Sequence, residues 1–241
     1  MAAKKPDYSR VLGLSDLHYP YHHKDSFDFI DKVYDYYKPT YNFSVGDEGD
    51  YHDASYHDSD TGLWSADEEM EHTIKNIQKL ESIIEQLDLA RSNHGTMPYR
   101  KAKTAKLPRQ VIKTEREMYE VGEGWQWHDR IIVPLPNKQK LIVRHQKVKN
   151  SKVAAQSEGM NYCQGHYHGT LDLQYYANEW GMYWGATIGC LIDDESLAFA
   201  YNKTDKERPC LGLIMILEGE PVLIPMRLDS KRRWTKKFLK L

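Results

Sequence analysis

Cysteine is scarce in this chain: three residues among 241, Cys163, Cys190 and Cys210, with no closely spaced metal-type pair. An odd, scattered set of this kind gives neither a disulfide framework nor a zinc finger. No apolar stretch approaches the roughly 18 residues that span a bilayer. The opening Met1-Ala2-Ala3-Lys4-Lys5-Pro6-Asp7 lacks the apolar centre of a signal peptide, so a cytoplasmic protein is expected. Net charge is nearly absent too. Lys and Arg number 33 against 35 Asp and Glu, a balance of −2, so bulk charge does not announce a nucleic-acid binder. Internal repeats and low-complexity linkers are missing, and one domain over residues 1–241 is expected.

Charge is present but badly mixed. Between Pro39 and Ile74 there is no Lys or Arg, while ten carboxylates fall there, Asp47, Glu48, Asp50 and Asp53 among them. The next stretch inverts this with Arg100, Lys101, Lys103, Lys106, Arg109 and Lys113, and a basic run from Lys231 to Lys240 follows later. Acid set beside base suggests a place that holds cations next to one that holds anions. The C-terminal run reads as a solvated face.

Hydrophobic spacing predicts β-α-β-α-β followed mostly by strands. Residues 9–14, 41–45 and 87–91 read as short strands. Phe27, Ile30, Val33, Tyr34 and Tyr37 recur at helical spacing up to Pro39. Ser65 and Glu68 form a capping-box pattern ahead of a second amphipathic helix. Strands follow at 130–133, 141–144, 211–217 and 221–224, the last two joined by a Glu218-Gly219-Glu220 turn. Early alternation of strand and helix implies a sheet covered by helices.

Oxygen and imidazole donors gather where these strands end: Asp16-Leu17-His18, Gly46-Asp47-Glu48-Gly49-Asp50, Ser92-Asn93-His94-Gly95, Arg144-His145 and Gly165-His166-Tyr167-His168. Open α/β sheets place their sites there. In extended chain, i and i+2 face one way, so Asp16 with His18, and His166 with His168, aim two donors at one place. One such cluster is surface decoration; five in order are a pattern.

That ordered set resembles the signature of the calcineurin-like metallophosphoesterase superfamily: D-x-H, G-D-x-x-D, G-N-H-[DE], G-H and G-H-x-H. The resemblance runs from Asp16 to His168. It implies a four-layer α/β/β/α sandwich and two adjacent divalent cations, Mn²⁺ foremost, with Fe, Zn²⁺, Mg²⁺ or Ni²⁺ as alternatives. Asp16, His18 and His168 would hold one; Asn93, His145 and His166 the other; Asp47 would bridge them. His94 would be the catalytic imidazole. Ser92 and Arg144 stand where the pattern has Gly. Gly95 stands where an acidic residue helps orient the histidine, and Asp50 or Asp53 is the candidate to replace it. The spacing around Asp47, Asp50, His52 and His57, with Arg100-Lys101 beyond, is similar to a branch common in bacteriophages that includes deoxynucleoside-5′-monophosphatases.

The expectation is therefore a metal-dependent phosphatase acting on a nucleotide 5′-phosphomonoester, with Arg100, Lys101 and His57 meeting the substrate. A nuclease using the same two cations is the first alternative. A catalytically impaired binding scaffold is the second. His52 and His72 read as surface or hydrogen-bonded residues, most of the Trp and Tyr residues as core, and Cys163 as a small buried hydrophobe.

Overall fold

The computed structural model describes residues 6–54, 62–196 and 208–237. Strand β1 (Arg10–Leu14) leads into helix α1 (Ser26–Tyr37), then β2 (Tyr41–Ser44), α2 (Ala66–Ile83) and β3 (Leu87–Ala90). Two short helices, α3 (Met97–Thr104) and α4 (Glu115–Tyr119), precede β4 (Trp125–His128). Then come β5 (Ile131–Pro134), β6 (Lys140–Val143), α5 (Ser151–Glu158), β7 (Asn161–Gln164), β8 (Leu171–Asn178), β9 (Gly181–Ile188), β10 (Gly212–Leu217) and β11 (Glu220–Pro225).

Two sheets result. The first has the order β11-β10-β1-β2-β3-β4, with β1 to β4 parallel and the β10–β11 hairpin antiparallel at one edge. The second runs β5-β6-β7-β9-β8, with β6, β7 and β9 parallel. Strand alternation assigns each side chain to a layer. Val11 of β1, with Ile214 and Ile216 of β10, packs between the sheets against Val133, Val143, Cys163 and Ala186. Their neighbours Leu12, Leu14, Leu213 and Met215 face the other way, onto Phe29, Ile30 and Val33 of α1 and Ile77 and Leu80 of α2. The outer face of the second sheet, through Ile142, Tyr162 and Tyr176, is covered by Ala154 and Ala155 of α5. Helix, sheet, sheet, helix is the layering expected. Each large aliphatic side chain buried there contributes roughly 1.5–3 kcal/mol.

The early elements agree with the sequence reading to within a few residues. Helix α1 ends in a left-handed Lys38 just before Pro39, and Ser65 with Glu68 forms the capping box of α2. Helices α3 to α5 and strands β4, β7, β8 and β9 add to the expected pattern. No helix among the described residues is long and apolar enough to cross a membrane.

Candidate metal centre

The parallel strands of both sheets deliver their C-terminal ends to one rim. Asp16 follows β1, Asp47 follows β2, Asn93 and His94 follow β3, His145 follows β6, and His166 and His168 follow β7. Isolated bridges tie the loops together, Asp16 to Cys190 and Tyr19 to Gly49. The turns are tight. His18, Asp47 and His166 have φ of 48°, 49° and 66°, a left-handed backbone that costs a non-glycine residue on the order of 1 kcal/mol or more. Gly165 shows why the chain is bare at that position, because a Cβ there would collide with Asp16 Oδ1.

Asp16, His18, Asp47 and His168 bring one ligand atom each within 4.8 Å of one another, and Asp47, His145 and His166 do the same. Asp47 belongs to both groups. Its Oδ2 lies 3.4 Å from His18 Nε2 and 3.2 Å from His145 Nε2. Asn93 Oδ1 joins the second group at 2.6 Å from His145 Nε2 and 3.2 Å from His166 Nδ1. His168 Nε2 is 3.2 Å from both Asp16 Oδ2 and His18 Nε2. All seven residues expected at the metals meet here.

The donor set suits cations. His145 Nδ1 lies 3.0 Å from the Val45 carbonyl, which can only accept, so in the neutral ring Nε2 turns its lone pair inward. His18 is set the same way by Asp50 Oδ1, 2.5 Å from its Nδ1. Its Nε2 then faces His168 Nε2, and Asp16 Oδ1 is buried without a hydrogen-bond partner. Asp16, Asp47 and Asp50 are all nearly inaccessible, and a cluster of buried carboxylates is costly unless positive charge offsets it. The imidazoles feel that field. Burial opposes charge on His145, yet Asp47 and Asp16 lift it to about 9. His18 is likewise raised well above the ordinary imidazole value, against its burial, by Asp47 and Asp50. Burial would raise the Asp47 carboxyl, but His145 and His18 hold it well below the carboxylate range.

His94 stands beside this set with 23% of its side chain exposed. Its backbone N–H donates to Asp47 Oδ1 (3.1 Å), and its Nδ1 bonds the carbonyl of Asp50. Burial and the neighbouring His18 lower its pKa, which favours the neutral ring, and the Asp50 carbonyl, an acceptor, keeps that ring's proton on Nδ1. Asp50 thus orients two imidazoles, His18 through its carboxylate and His94 through its carbonyl.

Ser92, where the resemblance has Gly, accepts the N–H groups of Asp47 (2.9 Å) and Gly95 (3.0 Å), fastening two ligand loops to each other. Arg100 Nη2 donates to the Asn93 carbonyl at 2.6 Å, which commits that guanidinium to the loop. Lys101 is half-buried one residue further along α3, and His57 lies outside the described residues. His52 is buried, 3.8 Å from Asp50 Oδ2, and not on the surface; His72 stacks on Trp64.

Glu48 is the residue that sequence reasoning missed. It is 1% exposed, and its Oε1 accepts from Trp127 Nε1 at 2.8 Å and from the Tyr119 hydroxyl at 3.3 Å. Burial raises its carboxyl to about 6. A Cβ on Gly95 would stand 3.1 Å from Glu48 Oε1. A carboxylate does lie beside the histidine loop, supplied by a different part of the chain. The signal in sequence is slight: an acidic residue directly after the bridging Asp47.

No protein-family model matches the sequence, and no curated protein matches it. Among solved structures, the chain is similar to Vps29 from Chaetomium thermophilum, at 13% identity and a TM-score of 0.49 over 96% of this chain and 93% of that one. It is similar to a single mutant of Vps29 from Entamoeba histolytica, at 10% identity and a TM-score of 0.46 over 96% and 99%. A third similar structure is YfcE, a phosphoesterase from E. coli, at 10% identity and a TM-score of 0.48 over 94% and 96%.

Proposed function

We propose that the chain is a phosphoric ester hydrolase of the calcineurin-like class, one domain working in the cytoplasm on a nucleotide 5′-phosphomonoester with two divalent cations, Mn²⁺ foremost. The observation that carries this reading is the position of Asp47, shared by two groups of inward-facing imidazole and oxygen donors. Asp16, His18 and His168 would hold one cation, Asn93, His145 and His166 the other, with Asp47 serving both. When bound, such a pair supplies Lewis acidity to the phosphate oxygens and lowers the pKa of a water that serves as the nucleophile.

The chain's own residues do the rest. His94 keeps its Nδ1 proton on the Asp50 carbonyl, so Nε2 is the atom that takes up the proton released by the attacking water and passes it to the leaving oxygen of the ester. Asp47 Oδ1 fixes the backbone of that loop, and Arg100 fixes it from the other side. Lys101, next on the same helix, is proposed to meet the substrate's charged oxygens.

The test is phosphate release from a deoxynucleoside 5′-monophosphate. Chelation should abolish it and Mn²⁺ restore it. His94→Ala should keep its metal content and lose on the order of 10²–10⁴ in kcat. Failure of the Mn²⁺-loaded chain to release phosphate from any phosphomonoester overturns the reading.

A further inference from the structure

One cavity adjoins the His94 loop and has no part in the chemistry above. It encloses about 640 Å³, within the usual range for small-molecule sites, between α3, the turn at Arg109–Val111 and α4. Gly95 and Thr96, the two residues after His94, line it, and Tyr99, Leu107, Arg109 and Val111 form its apolar and cationic sides. A larger cleft of about 1060 Å³ lies at the opposite, N-terminal ends of β2 to β4, where no ligand residue points.

Three lining residues leave large apolar surface in water: Tyr99 is 45% exposed, Leu107 50% and Val111 65%. Exposed apolar side chains gathered around one cavity, rather than scattered singly, mark a place where something binds. The Arg109 guanidinium lies over the Tyr99 ring, 5.5 Å from its centroid. Arg91, paired with Glu115 at 2.5 Å and Asp129 at 3.4 Å, steadies the far wall. A flat aromatic group with an anionic tail fits this lining: the ring against Tyr99 and the aliphatic rim, the negative charge toward Arg109 and the metal centre.

We infer that this cavity receives the base of the nucleotide whose phosphate reaches the Asp47 centre. The inference rests on the proposed phosphomonoesterase activity for its substrate, and on the cavity alone for its location. Gly95 and Thr96 directly follow His94 and also line the cavity, and the inference requires one molecule to reach from there to the Asp47 centre. Tyr99 is then a specificity residue. It touches the part of the substrate that does not react.

The experiment has two arms on the full chain. In the first, deoxyadenosine, which carries no phosphate to be cleaved, is titrated by calorimetry or NMR. It should bind saturably, Tyr99→Ala should weaken it about tenfold, and Tyr99→Phe should keep it within about twofold. In the second, with Mn²⁺, Tyr99→Ala should raise KM for deoxyadenosine 5′-monophosphate by a similar factor. It should leave kcat, and the kcat/KM of glycerol 2-phosphate, unchanged. The inference is overturned if deoxyadenosine does not bind at millimolar concentration, if Tyr99→Ala leaves its binding intact, or if both esters lose equally. Absence of turnover of both esters by the unaltered chain overturns the hydrolase reading, while the nucleoside arm still decides the cavity.

Discussion

At position 95 a side chain would find its space taken. An added Cβ meets Ser92 Oγ at 3.0 Å and Glu48 Oε1 at 3.1 Å. Gly95→Asp would therefore press a second carboxylate against one that burial has already raised to about 6. The variant should lose about 2 kcal/mol of stability, and Glu48→Gln should restore part of it by removing the like charge. Thermal unfolding checks both, and a Gly95→Asp variant as stable as the parent would remove Glu48 from this role. Metal binding gives the second test at this scale. Asp47→Asn should lose cation at both places, because one carboxylate faces both groups, whereas His168→Ala should mainly empty one. Elemental analysis after dialysis reads the stoichiometry, and two cations retained by Asp47→Asn would sink the bridging assignment. The donors were legible in sequence because each motif is local: two or three residues at a strand end whose alternation aims them together. Glu48 was not, because its meaning depends on Trp127 and Tyr119, 79 and 71 residues away.

The same division holds for whole elements. Helix α2 is 18 residues long with a capping box and a continuous apolar face, so its pattern is visible. Helix α5 buries only Ser151, Ala154 and Ala155, too small a stripe to register as a period. Strand β8 lies at the edge of its sheet with four of its eight residues half-covered, three exposed and only Tyr176 buried, so burial does not alternate along it. Helix α4 has just five residues, yet Thr114 and Glu117 form a second capping box, a signal that was there to be read. Helix α1 starts differently. Asp25 at its N-terminus makes no side-chain cap; its Oδ2 accepts from Arg233 Nε and the Trp234 N–H, both at 2.8 Å. Chiefly through Arg233, the carboxyl falls from 3.8 to about 2. A depressed folded pKa means the stabilisation is complete above about pH 4 and is lost as pH falls through 2. Arg233 is half-exposed, so water screens the pair, and about 1 kcal/mol is the expected size. Asp25→Asn should cost that much at pH 7 and only a small part of it near pH 2. Equal losses in denaturant titrations at both pH values would show that the ion pair is not the cause.

Across the whole molecule, the segregated charges seen in sequence take up different duties. The first part of the acidic stretch turns inward, with Asp47, Glu48 and Asp50 buried at the rim where both sheets end, whereas Asp67, Glu68 and Glu71 on α2 face solvent. The C-terminal basic run is partly structural. Arg233 holds Asp25, and Arg232 holds Asp194 and lies 3.2 Å from Glu195, so these two fasten the end of the described chain to its body. Cations engaged in this way are poor candidates for tracking a polynucleotide backbone. A nuclease that neutralises several phosphates releases counterions, and its affinity falls with salt at a log–log slope of about 0.9 per phosphate on duplex or 0.7 on single strands. A monophosphate meets few cations, so its dependence should be shallow. The kcat/KM for a deoxynucleoside monophosphate should exceed that for an oligonucleotide across a salt series. Lys231→Ala, which removes an exposed charge without touching either ion pair, should change neither. A steep salt slope with the oligonucleotide preferred, flattened by Lys231→Ala, would instead make the basic run a nucleic-acid contact and the chain a phosphodiesterase.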